Sequence, residues 1–187
     1  MDYQLETDYI RRILNGETQL FSFFIDRYSR PIHALIIQIV QNREDAEELT
    51  QDTFVKAFKK LDTFKGDCNF STWLYRIAYN TAVSATRKKK MVFPVMDENA
   101  LGNISDETVD AMLEKEDNEE LLQKLEEAID SLNTEEKALI TLYYLEEKST
   151  TEVAAILGLT ADNIKVKLFR TRKKLYITIK DKDHGTK

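Results

Sequence analysis

Apolar residues recur every three or four positions along most of this chain. In the first half this spacing predicts five helices, over residues 5–14, 20–28, 32–40, 46–61 and 69–90. Asn15 and Gly16 separate the first two helices, and a polar stretch around Gly66 separates the last two. These helices follow one another with short breaks, so we expect them to form one domain over residues 1–90.

The periodicity fades after residue 90. Pro94, Gly102 and several short polar residues predict a linker at 91–117, in which regular structure begins only towards its end. Helical spacing then resumes over 121–132 and continues over 133–145. We therefore expect a second helical domain at 118–187.

Composition supports helices throughout. Among 187 residues there are five Gly and two Pro, and Leu, Glu, Lys, Ala and Ile are abundant. The predicted fold class is all-α, with two small helical domains joined by a flexible acidic linker.

The net charge of -6 is concentrated in the middle of the chain. Residues 1–90 hold 14 Lys and Arg against 12 Asp and Glu, residues 91–130 hold 2 against 13, and residues 131–187 hold 11 against 8. Each flank can therefore present a local basic surface, and phosphate attraction acts at this local level. By itself, however, a run of charges is equally well explained as a solvated face.

The stretch STTEVAAILGLTADNIKVKLFRTRKKL, residues 149–175, has the pattern of a helix-turn-helix. Ser149 and Glu152 form a capping box, Gly158 permits a left-handed turn, and Thr160 can cap the following helix. On that helix, apolar residues can face inward while most cations face outward, which suits insertion in the major groove of DNA. The outward cations are Lys165, Lys167, Arg170, Arg172, Lys173 and Lys174, and Asn163 is expected to contact the duplex with them. A plain helical hairpin with basic solvent-facing residues is the alternative.

The helix over 69–90 combines aromatic and basic residues. Phe70, Trp73, Leu74 and Ile77 share one face, which is most simply a core face. A second face carries a cation, an amide and a stackable ring, a mixture that suits unpaired bases and their backbone. Its members are Arg76, Tyr79, Asn80, Arg87 and Lys88, and Tyr75 lies one turn from Tyr79 as a second ring that could stack on bases. The loop 63–69 before this helix can form a wall of a pocket for an extruded base. A core helix with a solvated basic end is the alternative.

Four stretches, in this order, resemble the bacterial extracytoplasmic function sigma factors of the sigma-70 family. ILNGETQLFSFFIDRYSRPI is similar to the opening helices of that family, NREDAEELTQDTFVKAFKKL to its polymerase-binding helix, FSTWLYRIAYN to its promoter-melting segment, and residues 149–175 to its upstream-element reader. The resemblance implies two helical modules that bind core RNA polymerase and carry it to promoters, where they read the -10 and -35 elements. It also implies an anti-sigma partner.

The resemblance assigns residues to three surfaces. For polymerase binding it implies Glu48, Leu49, Gln51, Asp52 and Phe54, whose mixed acidic and apolar character also suits a basic partner helix. For a flipped -10 base it implies Phe64, Asn69 and Asn80, and for the -35 duplex it implies Lys165, Val166, Lys167, Phe169 and Arg170. At four positions the chain departs from residues common in the family, namely Ser84, Val166, Lys167 and Phe169.

Other functions have less support in the sequence. No clustered carboxylates, phosphate-binding loop or paired nucleophile and base is evident, and we expect no catalytic residues and no cofactor. His33 and His184 lack cysteine neighbours, so we expect no metal site. Cys68 is the only cysteine, no apolar run could span a membrane, and a cytoplasmic protein is expected. A conventional helix-turn-helix regulator, acting without replacing a polymerase subunit, is the alternative function.

Overall fold

The computed structural model describes residues 2–88 and 119–184, and the side chains of 4–87 and 122–181. The predicted linker at 91–117 lies outside these residues. The helices are α1 (Asp2–Leu14), α2 (Ser22–Val40), α3 (Arg43–Lys59), α4 (Phe70–Lys88), α5 (Glu119–Asp130), α6 (Thr134–Ile140), α7 (Thr150–Leu157) and α8 (Ala161–His184). Short 3-10 turns lie at Thr18–Phe21 and Leu61–Thr63. The described residues contain helices and turns but no strand, and the prediction of an all-α chain with two helical regions is confirmed.

The core of the first region lies between α2, α3 and α4, which pack on one another. Phe24 of α2 and Phe70 of α4 are fully buried, with ring centroids 4.3 Å apart. Ile32, Leu35 and Ile36 extend the same buried face of α2. The helices thus present apolar stripes to a common centre, and burial of these stripes stabilises the region.

One helix prediction is wrong. The separate helices expected at 20–28 and 32–40 form a single helix, α2, with Pro31 inside it. Proline cannot donate a hydrogen bond to the carbonyl of Arg27 and normally kinks a helix. Here Phe24, before the proline, and Ile32, after it, lie in one continuous buried stripe. Burial of apolar residues in the segments before and after Pro31 outweighs the lost hydrogen bond.

Local capping places the ends of α2 and α3. Gln41 adopts a left-handed conformation with φ of 53° and ends α2. The Asn42 side chain then accepts a hydrogen bond from the backbone N–H of Asp45 at 2.9 Å, which caps α3. The long helices α2 and α3 are therefore joined by a tight turn and can pack side by side.

The second region packs α5, α6 and α7 against α8. Its core contains Leu139, Leu142, Val153, Ile156 and Ile164, all almost fully buried. The helix predicted over 133–145 is α6 followed by a wider π turn at Thr141–Leu145. A single buried core thus holds the helix-turn-helix in place.

The two regions contact each other. α4 packs along α7, and α2 packs against α6 and the π turn. Gln41 Nε2 donates to Asp130 Oδ1 at 3.0 Å across this contact. The helix with the aromatic and basic faces therefore lies beside the first helix of the helix-turn-helix.

Candidate nucleic-acid interface

The turn between α7 and α8 has the geometry that the sequence predicts. Ser149 and Glu152 form the reciprocal capping box of α7, and Gly158 ends it with φ of 73°, where a side chain would be strained. The Thr160 hydroxyl accepts a hydrogen bond from the backbone N–H of Asn163 at 3.2 Å and caps α8. The helix-turn-helix prediction is confirmed at each of these positions.

α8 has one buried and one exposed side. Ile164, Leu168 and Leu175 face inward, as expected. The predicted duplex-facing residues that the structure leaves exposed or half-buried are Asn163, Lys165, Val166, Lys167, Phe169 and Arg170. Three cations that were expected outward are less accessible. Arg172 is half-buried, and Lys174, with 16 % of its side chain exposed, pairs with Glu136. Lys173 is buried, with its ammonium 4.2 Å from the centroid of the Phe169 ring. A long aliphatic stem can pack in this way while the charge contacts an aromatic face.

Two lysines on the exposed side of α8 have carboxylate partners. Lys165 Nζ lies 3.6 Å from Asp162 Oδ1, one turn earlier in the helix. Lys167 Nζ lies 2.6 Å from Glu135 Oε1 on α6. Both pairs are substantially exposed, so water and salt screen them and a phosphate can compete for either lysine.

The outer face of α4 carries the predicted cations and amide. Arg76, Asn80 and Arg87 are exposed along this helix, and Tyr79 beside them is half-buried. Burial and the nearby carboxylate of Glu135 raise the pKa of Tyr79. The side chain of Lys88 lies outside the described residues. The geometry thus brings a cationic, amide-bearing stripe together on one helix.

Phe64 does not project freely. It lies in an aromatic cluster, with ring centroids 5.7 Å from Phe70 and 5.5 Å from Trp73. Offset and edge-on ring pairs of this kind stabilise a core. Phe64 can therefore form the floor of a pocket, and its substitution would also disturb packing.

Cys68 lies in the same loop as a half-buried free thiol. Burial and the neighbouring Asp67 raise its pKa, although Arg76 opposes this shift. The thiolate, the form that reacts with oxidants, is therefore disfavoured.

The loop and the inner side of α4 contact the second region. Thr72 Oγ1 donates to Glu152 Oε1 at 3.4 Å, and the Tyr75 hydroxyl donates to a carboxylate oxygen of Glu146. Lys148 Nζ lies 5.0 Å from the centroid of the Tyr75 ring. Sequence spacing suggested that Tyr75 could stack on bases, but it is almost completely buried. Burial, with Glu146 adding to it, raises the pKa of Tyr75, so its hydroxyl stays a donor.

Glu152 joins this contact to the predicted -10 pocket. Burial disfavours its charged form, but hydrogen bonds from Ser149 and the charge of Lys148 outweigh burial and lower its pKa. The amide side chain of Asn69, a predicted pocket residue, also favours the charged form and lowers that pKa further. Asn69 is thus engaged with the second region in this arrangement.

A third surface lies on α3. Glu48, Gln51 and Asp52 are exposed as predicted, while Leu49 is half-buried and Phe54 is buried. The exposed apolar positions are instead Val55, 50 % exposed, and Phe58, 40 % exposed. They line a groove of about 440 Å³ with Phe21 and Ile25 of the preceding segment. Gln51, Val55 and Phe58 are spaced four and three residues apart and so share one helix face. This spacing was the sequence signal that could have identified Val55 and Phe58 as surface residues.

The second region also has an apolar groove that sequence reasoning missed. Its volume is about 400 Å³, and its walls come from α5, the end of α6, the π turn and α8, with Gln38 of α2 at one side. Tyr144 and Leu145 lie at its edge, and Leu145 is 66 % exposed. A groove of this character fits apolar side chains of another protein.

Other kinds of site find less support. Within the described ranges, no three His, Cys, Asp or Glu residues are placed to hold a metal ion. No helix there is both long enough and apolar enough to cross a membrane.

Comparison with known proteins decides the family. The Sigma-70 region 2 model matches residues 24–91, and the Sigma-70 region 4 model matches residues 122–175. The ECF RNA polymerase sigma-E factor of Escherichia coli K12 is 31 % identical over 169 residues, covering 87 % of this chain and 88 % of the relative. This chain belongs to the ECF sigma factors of the sigma-70 family. Sigma factors are transcription initiation factors rather than enzymes.

Other comparisons agree with this family. The ECF sigma factor SigW of Bacillus subtilis 168 is 29 % identical over 178 residues, covering 92 % of this ECF sigma factor and 95 % of SigW. CnrH, solved with the cytosolic domain of CnrY, has a TM-score of 0.67 at 24 % identity, with 92 % and 96 % of the two chains covered. RpoE of Bartonella quintana, solved with the anti-sigma factor NepR, has a TM-score of 0.64 at 24 % identity, with 86 % and 96 % covered. These two structures share the fold.

Proposed function

We propose that this sigma factor binds core RNA polymerase and directs it to specific promoters by reading -35 duplex and melted -10 DNA. The observation that carries the proposal is the presence of three different exposed surfaces on one chain of this family. They are the acidic and apolar face of α3, the cationic face of α4 and the exposed side of α8. We assign the first two surfaces to a domain at residues 1–90 and the third to a domain at residues 118–187, with a linker at 91–117 between the two domains.

Polymerase binding is assigned to α3. Val55 and Phe58 supply exposed apolar area, and Glu48, Gln51 and Asp52 surround them with acidic and amide groups. An apolar centre with a charged rim fits a protein interface, and the acidic rim selects a basic partner.

The assignment to α3 predicts a large loss from one substitution. Val55→Asp should weaken binding to purified bacterial core polymerase by at least tenfold, because it places a charge in an apolar contact. Leu14→Asp is the matched control, since Leu14 is 51 % exposed on α1, away from this groove. Equal binding by both variants in a fluorescence titration would exclude α3 as the polymerase surface.

Recognition of melted DNA is assigned to the outer face of α4. Arg76 and Arg87 can follow the phosphates while Asn80 reads a base edge. In this proposal the chain transfers no proton and neither forms nor breaks a covalent bond. Binding of exposed bases stabilises the open strands, and the polymerase performs the chemistry.

Run-off transcription tests the whole proposal. Core polymerase plus this chain, on fragments of its own genome, should give discrete start sites, and permanganate should detect reactive thymines upstream of each. Arg76→Ala and Asn80→Ala should each reduce opening, whereas Arg11→Ala, the loss of an exposed cation on α1, should not. Binding of the purified chain alone to a two-fold operator, without start sites, would favour the conventional regulator.

We also propose a protein inhibitor of the kind seen with the solved relatives. CnrH and the Bartonella RpoE were each solved with a partner, and the latter partner is an anti-sigma factor. The apolar groove edged by Tyr144 and Leu145 offers a binding site for such a partner. Copurification of a protein inhibitor with the tagged chain from its own cells, with Leu145→Asp as the test and Leu14→Asp as the control, checks this assignment. The proposed place of action is the cytoplasm, with the polymerase and promoters.

A further inference from the structure

The apolar groove of the second region is large enough to hold a small molecule. Its walls include Ile140, Leu175 and Ile179, and the exposed side chains of Tyr144 and Leu145 border it. The volume of about 400 Å³ falls within the range of small-molecule sites, about 300–1,000 Å³. Water in this groove contacts mostly hydrocarbon, so its replacement by an apolar group is favourable.

One cation lies in this apolar wall. Among the described residues that line the groove, Arg172 is the only charged one, and no carboxylate is among them. Gln38 and Thr141 add polar groups. The half-buried Arg172 has contacts within the protein, but a guanidinium carries five N–H donors and can bind a further acceptor. The groove therefore complements a molecule with an apolar body and one anionic end.

A second cation extends this positive charge along α8. Arg172, Tyr176 and Lys180 are spaced four residues apart, so they share one helix face. Tyr176 lines the groove, and the exposed Lys180 holds its ammonium 5.0 Å from the centroid of the Tyr176 ring. An anion at Arg172 is therefore also attracted by Lys180.

The volume of the groove limits the size of the molecule. At about 30 Å³ for each non-hydrogen atom, the share that a water molecule takes in the liquid, a groove of about 400 Å³ holds about 13 such atoms. A saturated fatty acid between decanoate and dodecanoate has this size. Its carboxylate matches the planar fork of a guanidinium, which binds carboxylates through two parallel hydrogen bonds.

We propose that this groove binds a free medium-chain fatty-acid anion, with its tail between α5 and α8 and its carboxylate on Arg172. Gln38 belongs to α2 of the first region, whereas the other lining residues belong to the second. The bound molecule thus contacts both regions and favours the arrangement in which they pack together, because that arrangement completes its site.

Calorimetric titration of the full chain with hexanoate, octanoate, decanoate, dodecanoate and tetradecanoate, each below its micelle concentration, tests the inference. Affinity should rise about three- to fourfold for each added CH₂ group and stop rising near dodecanoate, where the tail fills the groove. Dodecyltrimethylammonium has the same tail with a cationic head and should bind at least about tenfold more weakly. Vesicles of phosphatidylglycerol distinguish a membrane lipid from the free acid, and the chain should not bind them.

Variants assign the site. Leu145→Asp places a charge at the edge of the groove and should weaken dodecanoate binding at least about tenfold. Arg172→Met keeps an apolar stem and should weaken it about ten- to hundredfold, the effect of losing a hydrogen bond to a charged group. Leu14→Asp, on the exposed side of α1, is the matched control and should bind as the parent does. Thermal unfolding checks that each variant is folded, and the comparison of head groups on the parent chain tests the role of Arg172 even if Arg172→Met is unstable.

A distance measurement tests the effect on the two regions. Spin labels replace the exposed Arg43 and Asp162, one on each region, in a Cys68→Ser background. Saturating dodecanoate should narrow the distribution of distances between them, and a distribution that stays the same or broadens would overturn the coupling of the site to the packing of the regions.

The titrations can also overturn the binding site itself. Absence of saturable binding by every acid would show that the groove takes no such molecule. Affinity that keeps rising through tetradecanoate, or that falls equally in Leu14→Asp, would indicate unspecific adsorption of the tail. Equal affinity for dodecanoate and dodecyltrimethylammonium would exclude Arg172 as the anion site, and binding to the vesicles would identify a membrane lipid instead of the free acid.

Discussion

Because α4 packs against α7, we expect the two regions to stay together in the free chain. A small number of polar bonds joins them at this contact. The most buried of these joins the Tyr75 hydroxyl to the Glu146 carboxylate. Tyr75→Phe removes the hydroxyl and keeps the ring that contacts Lys148. Glu146→Gln removes the charge of the acceptor and keeps its shape.

The expected magnitude follows from the type of bond. A part-buried hydrogen bond to a charged group contributes about 1.5–3 kcal/mol. Two other direct hydrogen bonds on this side of the contact, from Thr72 to Glu152 at 3.4 Å and from Lys148 to Ser71 at 3.5 Å, are long and therefore weaker. Loss of the Tyr75 bond should reduce the equilibrium constant for closure by roughly 10- to 100-fold.

Distance measurements between two spin labels check this expectation. In a Cys68→Ser background, labels at Arg43→Cys and Asp162→Cys occupy exposed sites, one on each region. Both single variants should broaden the distance distribution and lengthen it. The double variant should be no more open than Tyr75→Phe alone, because Tyr75→Phe already removes the bond that Glu146→Gln weakens by removing the charge of its acceptor.

The control is a tyrosine in the same region with a similar bond. Tyr28 donates to Glu6 Oε1 at 2.5 Å, and both partners of this bond belong to the first region. Tyr28→Phe should lower stability without opening the regions. Unchanged distances in Tyr75→Phe, or fully additive effects in the double variant, would refute the reasoning. Since Asn69 lies close enough to Glu152 to lower its pKa, the opened variants should bind a single-stranded -10 probe more tightly than the parent chain.

Three further predictions concern stability. Lys137 has a fully buried side chain, its Nζ is 3.9 Å from the exposed Asp130, and burial lowers its pKa despite that carboxylate. Lys137→Met should therefore raise the free energy of unfolding at neutral pH, by up to about 3 kcal/mol; a urea titration showing a clear loss would contradict this. The folded parent chain releases the Lys137 proton at a lower pH than the unfolded chain does, because the pKa of Lys137 is lowered on folding from the ordinary lysine value of 10.5. The free energy of unfolding of the parent chain therefore increases as pH rises towards 10.5, and the stability difference between Lys137→Met and the parent should shrink. Asn133→Ala should lower stability by about 1 kcal/mol, since it removes the capping box of α6, and thermal unfolding with Asn163→Ala as comparison measures it. Glu6→Ala should cost about 1–3 kcal/mol by leaving the half-buried Tyr28 hydroxyl without its acceptor, and chemical denaturation, in which Asp8→Ala on the exposed side of α1 changes little, checks this.

Several local features of the protein were predictable from its sequence. The capping box of Ser149 and Glu152, the left-handed Gly158 and the buried stripe of α8 all depend on residues within one or two helical turns. Hydrogen bonds and steric limits at that range are properties of neighbouring residues, so the pattern is enough. The all-α fold and the family resemblance follow from the sum of such signals.

Exposure at the candidate surfaces was less predictable. Phe54 was expected at the polymerase surface but is buried, while Val55 and Phe58, on the same helix, are exposed. Lys173 was expected outward and is buried against Phe169. Helical spacing tells which residues share a face, but the width of the covered face depends on the neighbouring helices.

The amino-acid sequence by itself determined the helices, their caps, the turn of the helix-turn-helix and the cationic residues available for DNA. Only the tertiary structure decided that α2 continues through Pro31, that Lys137 is buried, and that Tyr75 meets Glu146, 71 residues later in the chain. Helix ends are governed by hydrogen bonds between residues a few positions apart, whereas burial and long-range contacts arise when distant helices together exclude water from a shared core.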